Sequence, residues 1–252
     1  MWIETRGRRL LSVEYTISGA VLILALDTTT RAGSVAVVRG DRLLAVLTGD
    51  ESRTHGERLP SEIAAALDRA GVSREQIDLL AVAAGPGGFT GLRIGLAVVQ
   101  GLAMTLNKPV AGVSALRALA AQVTSPDEAF IAPWMDAQRG DVFATLIDSK
   151  TANEIEAPVA ENPSHVLERW RTQWSGRHIV FVGDAVTRDA PMIAAAGAGQ
   201  WRVQLPEPLA PQIAVLGKQL AEQGRAGPPH ALIPVYVRRP DAEIERDRRK
   251  PN

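Results

Sequence analysis

The chain has 252 residues, 46% hydrophobic and 22% charged, which is enough apolar content for one large or two small packed domains and excludes a disordered chain. Lysine plus arginine and aspartate plus glutamate each number 28, so nothing in the net charge argues for a polyanion-coating protein, and any contact with nucleic acid has to be local or borrowed from a partner. There is no cysteine, which removes disulfides, thiolate metal sites and cysteine nucleophiles together.

Residues 1–20 begin with a basic stretch and end in an apolar one, but Glu14 interrupts the run and no small-x-small cleavage site follows. They are expected as an extension before the first core strand rather than as a signal peptide. No apolar run approaches the ~18 to 20 residues a membrane span needs, and a soluble cytoplasmic protein is the expectation. "VLILALD" (21–27) is an apolar run of strand length ending in a carboxylate, as for a strand buried on both faces. "SVAVVRGDRLLAVLTG" reads as two strands joined at Gly40-Asp41. Leu59, Ile63, Leu67 and Ala70 recur at helical spacing, with Pro60 near the start and Gly71 just past the end. "IDLLAVAAG" is a further buried strand, "TGLRIGLAVVQGLAMTL" a helix with Thr90 as its expected N-cap, "PVAGV" a strand, and "SALRALAAQ" a helix capped by Ser114.

"TSPDEA" (124–129) has the punctuation of a linker. "FIAPWMDAQRGDVFATLID" then gives a strand, a turn at Arg139-Gly140-Asp141 and a second strand, and "PWMDAQRGDVFATLI" is a faint echo of "LALDTTTRAGSVAVV". Helical patterns follow at 163–174, 186–196 and 211–223, with strand-like runs at "HIVFVGD" and "WRVQL". The division this implies is an extension (1–20), an amino lobe (21–125), a carboxyl lobe (126–240) and a solvated charged tail (241–252).

Two stretches could carry chemistry. "GPGGFTG" joins a strand to a helix, but no lysine lies near it, so it is not a Walker loop. No Asp or Glu lies between Asp78 and Asp127, which removes the ribose carboxylate of a dinucleotide site. Its glycines permit positive φ and close backbone approach, and a helix start at Thr90 could face an anion; a tight turn under a neighbouring element accounts for them equally well. The helix behind it carries Arg93 as its only ionisable residue, so it is expected to be buried on more than one side, with Gly91 and Gly95 marking a face where a second helix can come close. The second stretch is Asp27 followed by Thr28, Thr29 and Thr30: a carboxylate for a metal or water and hydroxyls for phosphate, or, as the favoured reading, an Asx or Thr turn closing the first strand. The four histidines are scattered without metal-ligand spacing, and His55 reads as a polar residue before the first helix.

"ILALDTTTRAGSVAVV", "THGERLPSEIAAALDRAG", "DLLAVAAGPGGFTGLRIGLAVVQGLA", "PVAGVSALRALA", "MDAQRGDVFATL" and "PVYVRRPDAE", in that order, resemble the TsaB (YeaZ) family of tRNA threonylcarbamoyladenosine biosynthesis. The resemblance implies an α/β, actin-like and Hsp70-like ATPase (ASKHA) fold of two lobes of duplicated βββαβα type. It implies a non-catalytic scaffold and dimerisation subunit with no cofactor of its own, a homodimer when alone, working in the cytoplasm. The catalytic homologue TsaD and the ATPase TsaE are the partners it implies, with ATP or ADP at the complex interface, tRNA contacted only indirectly and no membrane. The family pairs through amino-lobe helices, which here match Leu59, Ile63 and Leu67 on one and Gly91, Leu92, Gly95, Val98, Val99 and Leu102 on the other. Asp27, Thr28, Thr29, Thr30, Gly87, Gly88 and Thr90 match a vestigial nucleotide loop, with Gly88 where the family usually has serine. The alternatives are an ATPase or small-molecule kinase of the same fold using Asp27 or Asp136, and a metallopeptidase, against which the missing histidine pair counts.

Overall fold

The computed structural model describes residues 20–124 and 130–238. The expected extension, apart from Ala20, and the charged tail lie outside these residues, as does the linker beyond Thr124. A first five-stranded sheet has the order β3-β2-β1-β4-β5, built from β1 (Leu22–Asp27), β2 (Ser34–Arg39), β3 (Arg42–Thr48), β4 (Leu79–Gly85) and β5 (Val110–Ser114). β1, β2 and β3 are successively antiparallel, the last two joined at Gly40-Asp41, while β4 and β5 run parallel to β1.

The second sheet repeats this order. β6 (Phe130–Asp136), β7 (Val142–Asp148), β8 (Glu154–Glu161), β9 (Ile179–Val182) and β10 (Trp201–Gln204) are arranged β10-β9-β6-β7-β8, so each strand occupies the place of its counterpart in the first half. The faint sequence echo is therefore a structural duplication. β8 has no counterpart among the strands read from sequence. It is an edge strand holding Pro158 and three glutamates, and an edge tolerates both a missing ladder N–H and charge.

Among the described residues six α-helices complete the layers: α1 (His55–Ala70), α2 (Phe89–Leu106), α3 (Ala115–Ala120), α4 (Pro163–Gln173), α5 (Val186–Gly197) and α6 (Ala210–Glu222). The alternation along β1 shows the scheme. Leu22, Leu24 and Leu26 pack with Leu59 of α1 and Leu92 of α2, whereas Ile23 and Ala25 join a core with Leu116 of α3 and Ile213 of α6. The second sheet turns Ile131 and Met135 into that same middle core and Phe130, Ala132 and Trp134 onto Trp170 of α4 and Ile193 of α5. α3 and α6 thus lie between the sheets.

Three expectations need correction. α6 packs on β1, β2, β4 and β5, so a carboxyl lobe of 126–240 is not a spatial unit; the chain after β10 returns to the first sheet. α1 starts at His55, one residue beyond Thr54, because Glu57 folds back to accept from the Thr54 backbone N–H and hydroxyl, both at 2.8 Å. α2 starts one residue beyond Gly88, so Thr90 is inside the helix and is not its cap. Ser114 does cap α3, accepting from the Arg117 N–H.

Candidate functional site

The loop after β1 is shaped by its own carboxylate. Asp27, 2% exposed, accepts through Oδ1 from the Thr29 N–H at 2.8 Å and the Thr29 hydroxyl at 2.6 Å, and through Oδ2 from the Thr30 hydroxyl at 3.0 Å. This is the Asx-turn reading. Burial pushes the Asp27 carboxyl above the usual carboxylate range, while the Thr29 and Thr30 hydrogen bonds pull the other way. Both oxygens are engaged within the loop, and among the described residues no group of three or more His, Asp or Glu side chains is arranged to hold a metal ion.

Thr28 points toward α2. Its hydroxyl is buried without a hydrogen-bond partner, lying where a Cβ at Gly95 would fall; a Cβ at Gly91 would strike the Thr28 carbonyl and the His55 ring. Gly91 and Gly95 therefore receive the Asp27–Ser34 loop of this same chain and do not mark a face open to another helix. The glycine-rich loop is brought onto the same stretch: Gly87 has no room for a Cβ against Thr29, and the Gly88 N–H donates to the Thr29 carbonyl at 3.1 Å. The structure thus gathers Asp27, Thr28, Thr29, Thr30, Gly87 and Gly88 at one place, as loops packed on each other.

The first turn of α1 holds the rest of the loop. His55 Nε2 lies 3.0 Å from the Thr30 carbonyl and its Nδ1 lies 2.9 Å from Nη2 of Arg58. A guanidinium only donates, so Nδ1 accepts and Nε2 carries the proton given to Thr30. Burial first, then the Arg58 charge, lowers the His55 pKa below its ordinary 6.5. Arg58 itself is 2% exposed and donates to the carbonyls of Arg31, at 3.1 Å, and Ala32, and to Glu62 at 2.6 Å. The sequence reading missed this arginine and placed His55 outside the helix. The available signal was spacing: Arg58 stands four and eight residues before Glu62 and the fully buried Ala66, on the inward stripe of α1.

Between the sheets lies a cleft of about 500 Å³ whose walls include Asp27, Thr30 and Ser34 on one side and Asp136, Asp184 and Arg188 on the other. Arg188 donates to Asp136 at 3.0 Å and to the buried Asp189 at 2.8 Å, and the Asp136 N–H donates to Asp184 at 2.9 Å. Burial raises the Asp184 pKa, with the like charges of Asp136 and Asp27 adding to it. Asp27, Glu51, Asp136, Asp184 and Glu207 face Arg31 and Arg188 there, and among the described residues no lysine lines the wall, which is unfavourable to a bare polyphosphate.

A second cavity of about 330 Å³ lies between the glycine-rich loop, the β6–β7 turn and residues Val235–Arg238. The Val235 N–H donates to the Ala84 carbonyl at 2.7 Å, Tyr236 stacks on Phe89 at 5.4 Å and receives Arg93 at 3.0 Å, and Arg238 donates to the Ala137 carbonyl at 3.0 Å and to Asp141. The "PVYVR" stretch (234–238) is therefore a strap tying the two halves, a role its composition did not reveal.

The association residues expected on α1 and α2 divide. Leu59, Ile63, Leu67, Leu92 and Val99 are buried in the core of their own sheet, and Gly95 is occupied by Thr28, so none of these six presents a surface. The apolar stripe turned inward because the sheet was the nearest apolar surface. Val98 and Leu102 are half-buried. Beside them Ala97, Gly101 and Met104 are open, Met104 at 74%, and a Cβ at Gly101 would meet nothing within 4 Å. α2 is thus buried along one side only, and by length and composition it is apolar enough to cross a membrane, contrary to the sequence expectation that no run approaches that length.

A sheet of order 3-2-1-4-5, repeated and joined through a shared helical layer with a cleft between the halves, defines an actin-like ATPase fold. The same fold is seen at 12% identity and a TM-score of 0.51, over 81% of this chain and 97% of the other, in the activator of 2-hydroxyisocaproyl-CoA dehydratase from Clostridium difficile, solved with bound ADPNP. Residues 48–245 match the family described as "TsaD: tRNA N6-adenosine threonylcarbamoyltransferase". The chain is 29% identical over 230 residues to the tRNA threonylcarbamoyladenosine biosynthesis protein TsaB of Bacillus subtilis, covering 88% of this chain and 96% of that one. YeaZ from Pseudomonas aeruginosa superposes at a TM-score of 0.68 with 27% identity, over 86% of this chain and 99% of the other. The chain belongs to the threonylcarbamoyltransferase family and is of its TsaB (YeaZ) type.

Proposed function

We propose that this chain is a non-catalytic subunit of the cytoplasmic complex that forms N6-threonylcarbamoyladenosine beside the tRNA anticodon. It pairs with the catalytic homologue TsaD through the outer side of α1 and α2, forms a homodimer when alone, and meets tRNA only through the complex, which TsaE joins as the ATPase. The observation that carries the reading is α2: an apolar helix that its own chain covers along one side, leaving Ala97, Gly101 and Met104 for another chain. The self-satisfied Asp27 and the acidic cleft support a chain without catalysis or a cofactor of its own, with ATP or ADP held at the interface of the complex.

The second reading, an ATP-using enzyme of the same fold, draws on the cleft between the sheets. Reconstitution with TsaD, TsaE, ATP, tRNA and threonylcarbamoyl-AMP as the group donor, leaving out each component in turn, separates the two. The scaffold reading expects modified tRNA only with all components present and no ATP turnover by the isolated chain. Robust turnover by the pure protein, abolished by Asp27→Ala, would sink it.

A further inference from the structure

We propose that the first turn of α1 is a coupling device: through His55 and Arg58 it makes the conformation of the Asp27–Ser34 loop in the cleft depend on what is seated on the outer side of α1 and α2, and the reverse. The inference rests on the association surface proposed above and adds to it a connection with the cleft.

The loop has consecutive anchors on the two helices. Thr28 fills the notch at Gly91 and Gly95, the Thr30 carbonyl accepts a hydrogen bond from His55 at 3.0 Å, and the Arg31 and Ala32 carbonyls accept from Arg58. Gly33, at φ +62°, closes against the imidazole ring with no space for a Cβ, and Gly49 leaves the space that the guanidinium fills. The contacts are mutually dependent. Arg58 fixes the tautomer in which His55 can donate to Thr30, so displacing the guanidinium releases three successive carbonyls together.

The same turns of α1 present Gly56, Pro60 and Ala64 to the outside, and a Cβ at Gly56 would meet only Ile94 of α2. A chain seated there bears on the turn that carries His55 and Arg58. At its other end the loop lines the cleft with Thr30, Gly33 and Ser34, and Ser34 accepts from the Ala210 N–H at 3.0 Å at the start of α6. A run of partly buried polar contacts thus leads from the first turn of α1 to the loop that lines the cleft, and coupling of this kind acts equally in both directions.

The test uses the full chain and the purified TsaD homologue. Amide exchange by mass spectrometry follows residues 27–34, and titration gives the affinity, for the wild type, Arg58→Lys and, as a milder change at a half-buried position, His55→Gln. The homologue is expected to slow loop exchange in the wild type. Arg58→Lys is expected to speed it about tenfold and to weaken association at least ~5-fold, although the side chain lies inside, with His55→Gln changing both in the same direction. Unchanged affinity in folded variants, or a wild-type loop indifferent to the homologue, overturns the coupling alone. Failure of the wild type to associate at all overturns the association surface and the coupling with it.

Discussion

Asp27 at the start of its loop and His55 in the first turn of α1 have displaced proton affinities, and the signs give opposite pH dependences. The Asp27 pKa is raised above 3.8, so its contribution to stability is fully present below that value and is lost as pH rises through the folded pKa. Asp27→Asn does not titrate, and its melting temperature relative to wild type is expected to climb with pH and then level off; a difference independent of pH would contradict this. The His55 pKa is lowered below 6.5, so its contribution is present above 6.5 and is lost as pH falls toward the folded value. Stability of wild type relative to His55→Gln should therefore decline below pH ~6.5, read by chemical denaturation across pH. At the α2 notch, Gly95→Ala drives a methyl into the Thr28 hydroxyl and should cost about 1–3 kcal/mol. Thr28→Ala removes a buried hydroxyl without a partner and should be neutral or stabilising alone, and it should recover part of the Gly95→Ala loss in a double-mutant cycle.

At the scale of the elements, α2 has two sides with different duties. Leu92, Leu96, Val99 and Ala103 complete the core on the first sheet, so a change there reads out as stability. Gly101 stands on the other side with open space beyond it. Gly101→Trp should leave the thermal transition unchanged or slightly raised, since glycine is a poor helix former, while weakening association with the catalytic homologue about tenfold or more. Light scattering and titration on the folded variant check both parts; unaltered association would move the proposed surface elsewhere.

At the scale of the molecule, the middle layer decides how the protein unfolds. α3 and α6 share one core with both sheets, and the strap from Leu232 to Arg238 ties the glycine-rich loop to the β6–β7 turn. Four of the five tryptophans, Trp134, Trp170, Trp174 and Trp201, lie in the second half of the chain, so fluorescence reports that half while far-ultraviolet circular dichroism reports both. The two signals should give coincident denaturation curves, as for one cooperative unit. Separate midpoints would show that the halves unfold independently.

Local sequence was sufficient for what depends on period and turn chemistry. The buried strands, the Gly40-Asp41 hairpin, the Ser114 cap, the Asx turn at Asp27 and the duplicated order were all legible, because alternation, helical spacing and short-range capping act over a few neighbouring residues. The glycine-rich loop was recognisable as a close approach, but its partner was not. Tertiary structure decided that Gly91 and Gly95 receive Thr28, that Leu59, Ile63, Leu67, Leu92 and Val99 face inward, and that Arg58 is a buried anchor. It also sent α6 back to the first sheet and made a strap of residues 232–238. An apolar stripe states that a helix must be covered, not by what; the covering surface comes from parts of the chain far away in sequence, and only their packing selects between the interior and a partner.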